Sequence, residues 1–213
     1  MSKADIIRSY QQRLADHGPG SEAVQYSDRD SHFARFEVLG DIDPNMGSVL
    51  DVGCGLADFC HFLRARGNTA RYHGIDIVPE FVELAATALA DDVAASVSLA
   101  DAEDDKMPSG FDYAVLSGVF NNLMDDNWGF MTRTLRQMWA AADKGIAFNA
   151  MSSHVDYRDE GLFYVDPMQV FAFCKDDLGG HPVLRHDYVT RTGGFPFEFA
   201  MYVWKAPRFP SEN

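Results

Sequence analysis

Residues 48–59 read SVLDVGCGLADF. The first five form a short, mainly apolar run bounded by turn residues, which is typical of a strand buried on both faces of a parallel sheet. An acid, Asp51, stands near the end of this run, and Gly53 and Gly55 follow it. Glycines directly after a strand let a ligand come close to the backbone. The segment therefore predicts a buried strand followed by a binding loop.

The same strand–helix unit recurs toward the C-terminus. Further apolar runs predict strands at RYHGIDI, ASVSLA, FDYAVLSG and IAFNAM. Between them, segments such as PEFVELAATALA and NWGFMTRTLRQMWAAADKG predict helices, and Gly145 is expected to stop the second of these. Strands that alternate with helices indicate a parallel sheet with helices on both faces.

The two ends of the chain differ from this repeat. Helices are expected over residues 3–16 and again from Ser31, which is a favourable N-cap residue. Near the C-terminus, PVLRHDYVTR and FEFAMYVWK predict two strands joined across TGGFP as an antiparallel hairpin, with His186 and Tyr188 on the sixth strand. We therefore predict an α/β, Rossmann-like fold with a seven-stranded, mostly parallel sheet and a C-terminal antiparallel hairpin.

Composition narrows the class of function. The chain of 213 residues carries 18 basic and 32 acidic residues, a formal net charge of -14. This charge disfavours nucleic acid and anionic lipid, whose binding depends on Lys and Arg. No apolar run approaches the roughly 18 residues that span a bilayer. Cys54, Cys60 and Cys174 form no CxxC pair, so we expect neither a disulfide framework nor a metal site, and a cytoplasmic location.

Three predicted strands in succession end at or near an acid: Asp51, Asp76 and Asp101. In open α/β sheets the ligand lies at the carboxyl ends of the strands, so these side chains are expected to share one site. A dinucleotide loop would need a third glycine where Asp58 stands, and a P-loop would need a Lys-Ser or Lys-Thr pair. A cationic ligand with an adenosine end and no phosphate, such as S-adenosylmethionine, agrees better with this pattern.

The motif DVGCGLA, residues 51–57, together with the three spaced acids and the hairpin, resembles the class I S-adenosylmethionine-dependent methyltransferases of small-molecule type. The resemblance covers roughly residues 30–205, and Ala57 departs from the third glycine of the motif. It implies that Asp76 binds both ribose hydroxyls and that Asp101 contacts the adenine amino group. The implied cofactor site comprises Asp51, Gly53, Gly55, Asp76, Ile77, Asp101, Ala102, Ser117 and Phe120.

In this family, the N-terminal helices and an insert after the fifth strand usually determine acceptor specificity. The resemblance thus implies that residues 1–40 cover the site, that residues 48–205 form the core, and that residues 151–166 form a lid-like insert, all in a single methyltransferase domain spanning 1–213. We predict that Arg29 pairs with the cofactor carboxylate and that His154 acts as a general base. The predicted acceptor contacts are Tyr26, His32, Tyr157 and Tyr164.

We therefore predict methyl transfer from S-adenosylmethionine to an oxygen or nitrogen of a small-molecule acceptor. Two alternatives stay open: a Rossmann-type nucleotide-dependent oxidoreductase, and a non-catalytic S-adenosylmethionine-binding or partner subunit. No nucleic-acid or membrane partner is expected. The aromatic-rich tail fits either a core or a homodimer interface; it contains Phe195, Phe197, Phe199, Tyr202 and Trp204.

Overall fold

A computed structural model describes residues 1–20, 22–25 and 29–208. Its strands are β1 (Ser48–Val52), β2 (Arg71–Asp76), β3 (Ala95–Leu99), β4 (Phe111–Leu116), β5 (Ala142–Ser152), β6 (Tyr164–Val165), β7 (His181–Arg185) and β8 (Glu198–Trp204). Its helices are α1 (Lys3–His17), α2 (Arg29–Gly40), α3 (Asp58–Ala65), α4 (Pro79–Ala88), α5 (Asn127–Ala141) and α6 (Pro167–Ala172), the last continuing as a π-helical turn over Phe173–Asp177.

The strands form one sheet in the order β3-β2-β1-β4-β5-β8-β7. Strands β1 to β5 run parallel, whereas β8 lies antiparallel to both β5 and β7. The predicted mostly parallel sheet with a C-terminal hairpin is confirmed. The two-residue strand β6, which pairs with the end of β5, is an eighth strand that the sequence patterns did not predict.

Helices cover both faces of the sheet. Apolar residues of α2, α3 and α4 pack on one face, and those of α5 and α6 pack on the other. Strand β1 has contacts in both layers, because Leu50 and Val52 face one core while Val49 faces the other. Burial on both faces explains why this strand is an apolar run rather than an alternating one. Among the described residues, no helix is both long enough and apolar enough to traverse a bilayer.

Three boundaries differ from the predictions. Helix α5 ends at Ala141 and β5 starts at Ala142, so Gly145 lies inside a strand instead of stopping a helix. A Cβ atom on Gly145 would lie 2.5 Å from the carbonyl oxygen of Val203, which shows that two neighbouring strands approach closely at this glycine. Helix α2 begins at Arg29, two residues before Ser31.

The sixth predicted strand was also too long. Strand β7 ends at Arg185, so His186 and Tyr188 lie outside the sheet. The Tyr188 hydroxyl instead donates a hydrogen bond of 2.8 Å to the buried carboxylate of Glu198. A buried carboxylate requires donors, and Tyr188 supplies one of them from outside the strand.

Candidate functional site

A cavity of about 280 Å³ lies at the carboxyl ends of the central parallel strands. The strand order reverses between β1 and β4, which is the position where open α/β sheets bind ligands. The structure brings eight of the predicted cofactor residues to the cavity wall: Asp51, Gly53, Gly55, Asp76, Ile77, Asp101, Ala102 and Ser117. Phe120 is not among the residues of the wall, since its ring is 1% exposed and packs edge-on against Phe130 and Phe148 in the core.

The glycine loop after β1 has a backbone that favours glycine at two positions. Gly53 has φ +72° and Gly55 has φ +54°. A Cβ atom on Gly53 would lie 2.2 Å from Cγ2 of Val119, so the loop after β1 packs directly on the loop after β4. Ala57, which replaces the third glycine of the motif, also has a left-handed conformation, with φ +62°. The turn is therefore preserved at Ala57, at a cost of order 1 kcal/mol in backbone strain.

Asp76 fixes this loop from below. Its Oδ2 accepts a hydrogen bond of 2.8 Å from the Gly55 amide, and its Oδ1 accepts one of 2.9 Å from the Val78 amide. The side chain is buried, and this burial raises the pKa of the carboxyl. Asp76 thus joins the first two strand ends of the site.

Asp51 places a second carboxyl beneath the cavity. Burial, opposed by a 2.7 Å hydrogen bond from the Tyr72 hydroxyl and assisted by the charges of Asp76 and Asp58, raises its pKa to about 7. A cation bound nearby would stabilise the ionised form of this carboxyl. The floor of the cavity is therefore suited to a positively charged ligand.

Asp101 belongs to a cluster of carboxylates that surrounds a lysine. The ammonium of Lys3 lies 2.8 Å from Asp101, 2.6 Å from Glu103 and 2.6 Å from Asp104. Burial lowers the pKa of Lys3, but hydrogen bonds to the three carboxylates outweigh it and raise that pKa. These carboxylate oxygens are close enough together to hold a metal ion, and the Lys3 ammonium already lies within 2.8 Å of all three carboxylates. Their role in the structure is to attach α1 across the site.

The other end of the cavity is lined by α2 and by residues near β5 and β8. His32 is 6% exposed, and its Nδ1 lies 3.7 Å from Oδ2 of Asp58. Burial, assisted by the charge of Arg35, lowers the pKa of His32 to about 3, so its imidazole is neutral at physiological pH. Neutral imidazole offers one donor and one acceptor, which suits a hydrogen-bonding role in the wall.

A buried hydrogen-bond chain, here called the Arg35–Gly118 chain, connects α2 to the loop after β4. Arg35 donates from Nε and Nη2 to Oε2 of Glu198, at 2.9 and 2.8 Å. Asn149 donates to Oε1 of Glu198 at 3.2 Å, and its own Oδ1 accepts from the Gly118 amide at 2.8 Å. Arg35 and Gly118 both line the cavity. The chain therefore fixes two of its walls relative to each other.

Sequence reasoning missed Glu198 and Asn149 in this chain. One signal was present: Glu198 is a single acid in the apolar segment FEFAMYVW. A carboxylate in a buried strand requires a cationic or hydrogen-bonding partner, so this residue indicated a buried pair, though not which arginine completes it.

Several predicted residues lie away from the cavity wall. The His154 side chain is 66% exposed, with its Nε2 3.5 Å from Oδ1 of Asp166. Tyr157 is 73% exposed, and the Tyr164 hydroxyl accepts a hydrogen bond from the Asp159 amide. None of the three is among the residues that line the cavity in the described part of the chain. Tyr26 and the side chain of Arg29 lie outside the described residues.

Comparison with known proteins gave consistent matches. A family model described as "Methyltransferase domain" matches residues 49–142. "Putative methyltransferase Rv1506c" of Mycobacterium tuberculosis is 34% identical over 166 residues, covering 75% of this chain and 93% of that protein.

Solved structures share the fold at low sequence identity. Magnesium protoporphyrin IX methyltransferase from Synechocystis PCC 6803, with bound S-adenosylmethionine, gives a TM-score of 0.66 at 14% identity over 97% of this chain and 98% of that one. The glycopeptide N-methyltransferase MtfA, complexed with sinefungin, gives 0.64 at 11% identity over 84% and 94%. At these identities the likeness concerns the fold.

Proposed function

The chain belongs to the class I S-adenosylmethionine-dependent methyltransferases, and on that premise we propose that it methylates an oxygen or nitrogen atom of a small-molecule acceptor. One observation carries the proposal. The glycine loop and the acids Asp51, Asp76 and Asp101 surround a single cavity at the reversal point of the sheet. Carboxylates would repel a phosphate group, so a site of this kind suits a cationic adenosine ligand that has no phosphate.

We assign the cofactor to this cavity residue by residue. Asp76 would bind the ribose hydroxyls, with Ile77 against the adenine face and Asp101 beside the adenine amino group. The uncharged backbone at Gly53 and Gly55 would accommodate the methionine part, above Asp51. The contacts of Asp76 with the backbone of Gly55, Val78 and Ile77 support this assignment, because a carboxylate has about four lone-pair sites and these three contacts leave acceptor capacity for a ligand donor.

The chemistry requires alignment more than acid–base assistance. The bound sulfonium supplies an electrophilic methyl group with a neutral leaving group. The chain must hold the acceptor in line with that methyl group and exclude water. Helix α1, attached through Lys3, and α2, fixed by the Arg35–Gly118 chain, close the cavity from above. A base is needed only for an acceptor that is protonated at neutral pH.

A base role for His154 stays a prediction from the sequence. Its exposed imidazole reaches the reaction only if the 151–166 insert moves toward the cavity. The N-terminal helices over residues 1–40 and this insert are the segments that we propose border the acceptor, within one domain. Their enclosure of a cavity of about 280 Å³ and the net charge of -14 favour a small molecule over nucleic acid.

Thermal-shift measurements test the proposal. S-adenosylhomocysteine should raise the melting temperature of the wild-type protein, and NAD should not. The Asp76→Ala variant should lose the shift. Asp112→Ala is the matched control, because Asp112 also accepts a backbone hydrogen bond, from Gly47, but lies at the opposite end of the sheet. A shift with NAD alone would favour the oxidoreductase, and an unchanged shift in Asp76→Ala would remove the site assignment.

A further inference from the structure

A second cavity adjoins the first. It has a volume of about 360 Å³, and four residues line both cavities: Ile6, Gln25, Asn122 and Leu162. The acid-lined first cavity contains the proposed cofactor site, so a molecule that meets the cofactor needs a separate approach. The second cavity is positioned for that approach, because these four residues border both cavities.

Two segments form the walls of the second cavity. Helix α1 contributes Ser9 and Arg13, which lie one turn apart on one stripe of the helix. The insert after β5 contributes Asp159, Gly161 and Leu162.

The insert is fixed to the loop after β4 by backbone hydrogen bonds. The Leu123 amide donates to Gly161 at 3.1 Å, and the Phe163 amide donates to Asn121 at 2.8 Å. This wall is therefore built into the fold. Since the loop after β4 also borders the first cavity, the two cavities share the edge that this loop forms.

Arg13 is the cationic side chain of this second cavity. It is half-buried, and across residues 1–20, 22–25 and 29–208 it forms no ion pair. Some other described arginines are paired with carboxylates, as Arg8 is with Asp5 on the same helix and Arg35 is with Glu198, and others donate to backbone carbonyls, as Arg71 does to Gly110. A half-buried guanidinium without a carboxylate partner favours an anionic ligand.

We propose that Arg13 binds a carboxylate carried by the acceptor, so that the substrates are small carboxylic acids methylated at another oxygen or nitrogen. This inference rests on the proposed function. A planar carboxylate matches the fork of one guanidinium. A phosphate dianion matches less well, because the same cavity contains the carboxylate of Asp159 and its other described cation, the N-terminal ammonium of Met1, is already paired with Asp125 at 3.5 Å. The acidic surroundings would repel an acid, and Arg13 would offset this repulsion at one point of the cavity, which would give the site its selectivity.

The test uses matched pairs of ligands and variants. The probes are hydroxy- and amino-substituted benzoic and phenylacetic acids, each beside its methyl ester. Binding to protein saturated with S-adenosylhomocysteine is measured by ligand-observed NMR, and methyl transfer is measured with labelled S-adenosylmethionine. The variants are Arg13→Ala, Arg13→Lys and the control Arg8→Ala, in which an exposed arginine of the same helix is removed from outside both cavities.

The wild-type protein and Arg8→Ala should bind at least one acid more tightly than its ester. Arg13→Ala should weaken binding of that acid about 10- to 100-fold and leave the ester unchanged, with Arg13→Lys intermediate. Equal binding of acids and esters, no binding of any acid, or an acid preference that survives in Arg13→Ala would each overturn the inference. The melting shift with S-adenosylhomocysteine reports separately on the proposed function, because Arg13 does not line the cofactor cavity.

Discussion

Gly53 combines two constraints that are separable by experiment. Its φ of +72° disfavours any residue with a side chain, and a Cβ atom there would overlap Val119. Gly67 has nearly the same backbone, with φ +76°, but has no heavy atom within 4 Å of a built Cβ. The pair therefore distinguishes backbone strain from steric overlap at the binding loop.

We predict that Gly53→Ala lowers the free energy of unfolding by about 2–5 kcal/mol, the sum of left-handed strain and overpacking. Gly67→Ala should cost only the strain, about 1–2 kcal/mol. Denaturant unfolding measures both, and S-adenosylhomocysteine titration should show weakened binding only in Gly53→Ala. Equal losses of stability in the two variants would mean that the loop after β4 can move Val119 away from the added methyl group without a cost in free energy.

At the level of secondary-structure elements, the Arg35–Gly118 chain joins α2, β8, β5 and the loop after β4. Asn149 is the side chain of this chain that lies next to the loop after β4, and its Oδ1 accepts a hydrogen bond from the Gly118 amide. Tyr188 also donates to Glu198 but makes no described hydrogen bond to the loop after β4. Substituting Asn149 tests whether the chain positions the cavity wall. Substituting Tyr188 tests whether it only stabilises the fold.

We predict that Asn149→Ala weakens S-adenosylhomocysteine binding about five- to tenfold, because the Gly118 amide loses its acceptor and the loop shifts. Tyr188→Phe, which removes a hydrogen bond of the same chain, should lower the melting temperature but keep the affinity. Titration calorimetry and thermal unfolding provide the two readouts. If both variants lose affinity in proportion to stability, the chain has no positioning role.

Local patterns predicted the elements but not their long-range partners. The strands of the central sheet and the hairpin were readable because buried runs and glycine-rich turns are local signals. The pairing of Arg35 with Glu198 joins residues 163 positions apart, and no local pattern encodes it. His154 follows the fifth strand in the sequence, yet its side chain is 66% exposed. Chain order alone could not place it.

Electrostatics act at the scale of the whole molecule. The chain has a net charge of -14, and the first cavity, where we propose that the cofactor binds, is lined by Asp51, Asp58, Asp76 and Asp101. Its described cations Lys3 and Arg35 are both paired with carboxylates. S-adenosylmethionine carries one positive charge more than S-adenosylhomocysteine, at the sulfonium. The field should therefore favour the substrate form of the cofactor over the product form.

We predict that raising NaCl from about 50 to 500 mM weakens S-adenosylmethionine binding about two- to fivefold and S-adenosylhomocysteine binding less, because salt screens the attraction of the sulfonium. Calorimetry on both ligands measures the difference. Asp58→Asn should reduce it, since Asp58 lines the cavity, whereas Asp177→Asn, at the distant end of the π-helical turn, should not. Equal salt sensitivity of the two ligands would show that the sulfonium charge is not what the acidic site selects.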